Sequence, residues 1–171
     1  YLSIKNILNI NNITLSNIDY IVFYEKPFLK FNRILETCLA FTPYGFSQFA
    51  KSIPIWIKDK LFLKLKLIEE LNKIEKIKNI KNKIKFSEHH LSHAASAFYP
   101  SGFEESLILT LDGVGEWATT SISIGNKNNI KKISEIKYPH SLGLLYSAFT
   151  LYCGFKVNEG EYKLMGLAPY G

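Results

Sequence analysis

Hydrophobic positions recur at helical spacing along much of this chain and alternate with polar ones in a few short runs. Tyr1 to Ile10 suits the tail of a helix, which Asn11-Asn12 breaks. Ile18 to Tyr24 is β-branched and aromatic, which predicts a strand ended by Glu25-Lys26-Pro27. From Phe28 to Phe41 the apolar residues Phe28, Phe31, Ile34, Leu35, Cys38 and Leu39 return every three or four positions. That spacing predicts a helix closed by Thr42-Pro43, with a further helix from Tyr44 to Ser52. Pro54 to Ile77 is mixed. Trp56, Ile57, Leu61, Leu67, Ile68, Leu71 and Ile74 fit helices, whereas Leu61, Leu63, Leu65 and Leu67 alternate as in a strand. Glu69-Glu70 ahead of Lys73 favours helix for the second part. Asn79 to Asn82 interrupts the pattern, and Ile84-Lys85-Phe86 predicts a short strand.

A small-residue helix pattern starts at the histidines of Glu88-His89-His90-Leu91-Ser92-His93 and stops at the turn Pro100-Ser101-Gly102. Three strand-like runs follow, Ser106–Leu111, Trp117–Ile124 and Ile130–Lys137. Gly113-Val114-Gly115 and Gly125-Asn126-Lys127-Asn128 separate them as turn signals, so a meander is predicted. Ser141 to Cys153 predicts an apolar helix with Ser141 as N-cap, ended by Gly154. Gly160 to Gly171 predicts a glycine-punctuated turn and a short helix. The order is α/β, with a first half over residues 1–103 and a second over 104–171. The second half opens with strands and an acidic glycine turn, as a lobe of the actin-like, two-lobed phosphotransfer fold does.

Composition adds limits. With 171 residues, 47% of them hydrophobic, the chain can bury a real core and is not disordered. The net charge of +6 is carried by lysine, because Arg33 is the only arginine. Between Lys58 and Lys85 those lysines alternate with Ile, Leu and Asn, which points to a solvated face and not to a nucleic-acid surface. Cys38 and Cys153 form no CxxC pair and suggest no disulfide scaffold, which fits a reducing cytoplasm. No apolar run approaches the ~20 residues of a membrane span, and no signal peptide is evident. The start at Tyr1 and the stop at Gly171 after a Gly/Pro turn lead us to expect a fragment.

The candidate chemistry centres on residues 88–116. His89 and His93 lie one helical turn apart on one face. Asp112 ends the apolar run Leu107–Leu111. Two imidazoles and a carboxylate with positions left open suit Fe(II), Mn(II) or Zn(II). The simpler alternatives are hydrogen-bonded histidines beside an interface and an Asp that only forms a turn. No Glu follows the first histidine, so the zinc-protease HExxH pattern is absent. His90 reads as a core residue, with support of a ligand as the alternative. Gly113, Val114 and Gly115 would let backbone N–H groups approach a phosphate, although any tight hairpin uses such a turn too. Thr119, Thr120 and Ser121 offer further hydroxyls, each most simply part of a polar strand. Lys163 is the only basic group of Gly160–Gly171, and Tyr162 and Tyr170 could stack or pack. Glu25-Lys26-Pro27, Trp56 and Cys153 read most simply as a strand terminator, a core aromatic and a buried thiol.

Several of these segments resemble one family. Tyr24-Glu25-Lys26-Pro27, EHHLSHAASAFYPSGF, LTLDGVGEWATTS, YPHSLGLLYSAFTLYCGF and GEYKLMGLAPYG are similar, in order and spacing, to the O-carbamoyltransferases of nodulation-factor and antibiotic biosynthesis. The resemblance implies a fragment of a two-lobed actin-like (ribonuclease-H-like) fold that uses ATP and carbamoyl phosphate. A C-terminal adenylate-forming domain would make carbamoyl adenylate, and the actin-like domain would pass the carbamoyl group to a hydroxylated small-molecule acceptor. By position, His89, His93 and Asp112 match the family's metal ligands, with an iron-type divalent ion implied and Mn or Zn as alternatives. Gly113, Val114, Gly115, Glu161, Lys163 and Gly166 match its nucleotide and carbamoyl-adenylate region. The family's catalytic His lies before Tyr1, and a further carboxylate ligand lies after Gly171, so the fragment alone is expected to be inactive. A tRNA threonylcarbamoyl-transfer enzyme of the same superfamily and a non-catalytic nucleotide-binding domain are the alternatives. No membrane or nucleic-acid partner is expected.

Overall fold

The structure is a computed structural model that describes residues 2–56 and 62–171. Ile57 and Leu61 lie outside the described residues, and so does the side chain of Trp56. The chain forms two compact units, Tyr1–Ser87 and Glu88–Gly171.

In the first unit, α1 (Leu2–Ile10) leads to β1 (Ile21–Phe23), then to α2 (Pro27–Ala40), α3 (Phe46–Trp56), α4 (Leu63–Asn72), α5 (Ile80–Lys83) and β2 (Ile84–Phe86). β1 and β2 pair in parallel, with Ile21 opposite Ile84 and Phe23 opposite Phe86. Parallel neighbours need a crossover, and α2 to α5 supply it. The strand is shorter than the sequence pattern suggests. Ile18 closes a 3-10 turn at Leu15–Asn17, and β2 offers only three residues to pair. Pro27 sits at the start of α2, where its fixed φ suits a helix and its missing N–H is not needed. The lysine-rich middle is helical over Leu63–Asn72, as the charge pairing favours. The expected break at Asn79 to Asn82 is corrected. Asn79, at φ 67, starts a single helical turn that sends Ile80 into the core. Lys66, Lys73, Lys76, Lys78, Lys81 and Lys85 are exposed, the solvated face that the pattern implies.

Leu8, Leu15, Leu71, Ile80 and Ile84 form the core of this unit. Two long-range polar ties brace it. The Glu75 carboxylate accepts from the Leu15 N–H (2.8 Å) and from the Ser16 hydroxyl. Lys83 donates to the Ser16 and Ile18 carbonyls at 2.9 and 2.6 Å.

The second unit holds α6 (His89–Phe98), β3 (Glu105–Leu111), β4 (Ala118–Asn126), β5 (Asn129–Lys137), α7 (Leu142–Tyr152) and α8 (Glu161–Leu167). The strands form the predicted antiparallel meander in the order β3-β4-β5. Ile108 pairs with Ser123 and Thr110 with Ser121, so these four share one face. All four are buried. Leu107, Leu109 and Leu111 point to the other face and are exposed. Ala94 and Phe98 of α6 pack on Ile108, with Ile130 alongside. The second turn needs correction. Gly125 lies within β4, where an added Cβ would sit 2.6 Å from the Phe98 ring, and the turn itself is Lys127-Asn128 between the paired Asn126 and Asn129. α7 carries the predicted N-cap, with Ser141 Oγ accepting from the Leu144 N–H at 3.0 Å. The helix ends at Cys153, and Gly154 follows with φ 82. Cys153 is exposed and not a buried thiol, because it caps a helix end that nothing covers in the described residues.

Candidate metal centre

α6 places His89 and His93 on one face because they are four residues apart. The helix is built from small residues, and Ala94 and Phe98 anchor it to the sheet. Asp112 lies just past β3 and continues the ladder, with its N–H donating to the Thr119 carbonyl at 2.9 Å. One ligand atom from each of His89, His93 and Asp112 lies within 4.8 Å of the others. His89 Nε2 is 2.7 Å from Asp112 Oδ2 and 3.1 Å from His93 Nε2.

These distances suit a divalent ion. Two ligands ~2.1 Å from one metal lie ~3.0 Å apart at a right angle and ~3.4 Å apart in a tetrahedron. The chemistry suits it as well. A single proton on His89 Nε2 can serve one of its two close neighbours, whereas a cation satisfies all three lone pairs. Asp112 Oδ2 is shut off from solvent and, the approach of His89 apart, has no hydrogen-bond partner. Contact with the His89 imidazole is the main cause holding the Asp112 carboxyl below its usual range; burial opposes it. The carboxyl is therefore kept as the anion a metal requires. His93 is exposed, so the set is open on that side.

His90 points the other way. It is buried, and its Nδ1 lies 2.9 Å from Ser121 Oγ of β4. Burial depresses its pKa, with Asp112 acting in the opposite sense. Beneath it is a cavity of ≈ 150 Å³ lined by Glu88, His90, Leu91, Ser121, Ser123 and Lys132. The core reading of His90 fits this burial, and the ring also ties α6 to the sheet. Thr119 is consumed structurally, with its hydroxyl near the Ile136 and His140 carbonyls at 3.2 and 2.5 Å.

The glycine turn is closely packed. Gly113 N–H donates to Asp112 Oδ1 at 2.7 Å. Ser141 Oγ lies 3.0 Å from the Asp112 carbonyl and 2.7 Å from that of Gly113, so the α7 N-cap also clamps this turn. Gly143 permits the approach, since a Cβ there would be 2.5 Å from the Asp112 carbonyl oxygen. The sequence marks Ser141 only as a cap; its second task depends on a contact 29 residues away that no local pattern encodes. Val114 is half-buried in the same turn. Glu161 is engaged locally. Its carboxylate accepts from the Asn158 N–H at 2.8 Å and lies 3.4 Å from Ser147 Oγ. Tyr146 OH donates to the Glu161 carbonyl at 2.6 Å, fixing α8 to α7. Lys163 is exposed, with its Nζ 5.9 Å from the Tyr162 ring centre, and Gly166 faces open space. The structure thus gathers His89, His93 and Asp112 at one point and gives Glu161 a local bracing role.

The family model for the carbamoyltransferase N-terminus matches residues 2–171. The chain belongs to that family. Among curated relatives it is 56% identical to an uncharacterized protein of Synechocystis sp. over 161 residues, 93% of this chain and 26% of the relative. It is 40% identical to nodulation protein NolNO of Sinorhizobium fredii over 169 residues, 99% of this chain and 23% of the relative. Against nodulation protein NolO of Bradyrhizobium diazoefficiens the identity is 42% over 83 residues, 48% of this chain and 15% of that protein. The chain therefore spans about a quarter of the length of the first two relatives. As a carbamoyltransferase N-terminal region it is a mixed α/β structure, with one parallel and one antiparallel sheet among the described residues. No helix among the described residues is long and apolar enough to cross a membrane.

Proposed function

We propose that this chain is part of a carbamoyltransferase of the actin-like fold, with the lobes dividing near residues 103 and 104. The whole enzyme uses ATP and carbamoyl phosphate to form carbamoyl adenylate. It passes the carbamoyl group to a hydroxyl of a small molecule, and it works in the cytoplasm. The observation that carries the reading is the convergence of His89, His93 and Asp112, in a family member, on a point sized for one divalent ion.

In this reading His89, His93 and Asp112 hold the metal, most simply Fe(II). When bound, such an ion supplies Lewis acidity to the carbamoyl carbonyl and positive charge beside the adenylate phosphate. Gly113, Val114 and Gly115 line the approach to that phosphate, Val114 and Gly115 with backbone N–H groups and Gly113 with its bare Cα, its own N–H being engaged by Asp112 Oδ1. Glu161 holds the turn before α8 in shape, Gly166 leaves room, and Lys163 offsets charge on the departing phosphate. The acceptor oxygen attacks the carbamoyl carbon, the bond to the phosphate oxygen breaks, and AMP leaves with that electron pair. The hydroxyl proton goes to a base outside this chain. An adenylate-forming domain of the same protein supplies the carbamoyl adenylate.

Metal content and carbamoyl transfer of the intact protein test this. The double variant His89→Ala, His93→Ala should lose the metal and lower transfer at least ~100-fold, beyond the 10–100-fold typical of residues that merely support ligands. Residues 1–171 alone should transfer nothing. Full activity in a double variant without metal would refute the assignment.

A further inference from the structure

Gly115 is the glycine whose need for hydrogen in place of a side chain is least explained by the turn itself. Its φ does not fall in the left-handed region, so backbone conformation does not demand glycine there. The residue is buried. A Cβ on Gly115 would lie 2.2 Å from His89 Cδ2, 2.6 Å from Cγ and 2.8 Å from Nε2. Carbon atoms in ordinary contact are ~3.5–4.0 Å apart. The imidazole would have to retreat by about an ångström. It cannot do so and keep Nε2 at 2.7 Å from Asp112 and 3.1 Å from His93. Gly113, in the same turn, presents a different picture: a Cβ there would meet only Leu144 Cδ2, at 3.9 Å.

We infer that Gly115 is a positioning residue for the metal centre: its bare Cα is the wall against which the His89 ring is seated. The two glycines of one turn then have separate jobs. Gly113 has no steric duty toward the ligands, while Gly115 sets where the first imidazole stands. The inference rests on the reading that His89, His93 and Asp112 hold a metal, and it adds a residue whose role toward the ion is steric and not through a donor atom. Sites of this kind tolerate displacements of only ~0.5 Å.

Co(II) binding to the intact protein, followed by its visible absorption, is the test. Gly115→Ala should weaken Co(II) affinity about 10–100-fold and alter the spectrum, as loss of support for a metal ligand does. Gly113→Ala should keep both Co(II) affinity and spectrum. A double-mutant cycle provides the second readout. Gly115→Ala should lower the urea midpoint when His89 is present and leave it unchanged in a His89→Ala background, where no ring remains to collide. A turn that needed glycine for its own sake would lose stability equally in both backgrounds. Wild-type affinity and spectrum in Gly115→Ala would overturn the inference. Should wild-type protein bind no Co(II), the metal reading falls separately, and the cycle alone decides: coupling supports the seat, additivity overturns it. If Gly115→Ala does not fold, recovery of folding on adding His89→Ala supports it, and failure to recover overturns it.

Discussion

The two units bury different things. The first closes around aliphatic side chains, Leu8, Leu15, Leu71, Ile80 and Ile84, and buries two charged groups besides, Glu25 and Arg33. The second buries Ala94, Phe98 and Ile108, but also His90, Thr110, Thr119, Thr120, Ser121 and Ser123. Apolar burial is non-directional and stabilises in proportion to area. Buried hydrogen bonds are directional, so the His90–Ser121 contact and those of Thr119 to the Ile136 and His140 carbonyls fix orientation. Aliphatic packing dominates the core of the first unit, whereas most of what the second buries is polar and sets the angles of side chains.

Core truncation in the first unit is the strongest way to break that contrast. Leu71→Ala should cost ~2–5 kcal/mol in urea unfolding while metal affinity of the folded protein is unchanged. A parallel fall in affinity would mean that the units do not divide the work. Ser121→Ala should act the other way, leaving His90 Nδ1 buried without its partner. A loss of ~1–3 kcal/mol is expected, with metal binding weakened severalfold by titration calorimetry. Unchanged metal binding would reduce the His90–Ser121 contact to packing. Ser141→Ala removes both the α7 cap and the clamp on the Asp112 turn, and thermal unfolding should report a loss of ~0.5–2 kcal/mol. The smallest effect concerns Glu135. Lys132, and then Lys137, hold its carboxyl below the usual glutamate range against the opposing effect of burial. Because the folded value is depressed, the contribution is present above the unfolded pKa and is lost as pH falls through the folded one. Glu135→Gln should flatten that part of the stability–pH curve, and added salt should do much the same to the wild type.

Local pattern carried most of the element order. The period of Phe28 to Phe41 and the punctuation of the meander are properties of adjacent residues, so α2 and β3 to β5 were readable from the chain. Asn79 to Asn82 misled because asparagine breaks helices and also tolerates the left-handed φ that starts α5. That His89 and His93 share one helix face was legible because helical spacing is local, and that Asp112 ends a strand because strands end where apolar runs end. What lay beyond reach was tertiary. That the Phe98 ring covers Gly125, that the His89 ring meets Gly115, and that Ser141 clamps Asp112 are contacts between distant positions. Gly115 and Gly125 both looked like turn formers, since sequence shows the missing side chain but not the neighbour that needs the space.

The proposed ligand set has one more property, which concerns order in time. His89 and His93 stand on α6, and Asp112 follows the very next strand. No remote segment has to return to complete the trio, so closing it costs only the entropy of a short connection. Chains are synthesised from the N-terminus, and all three donors have been made before the first residue of α7. The clamp at Ser141 is thus a late fastening on three side chains already in hand.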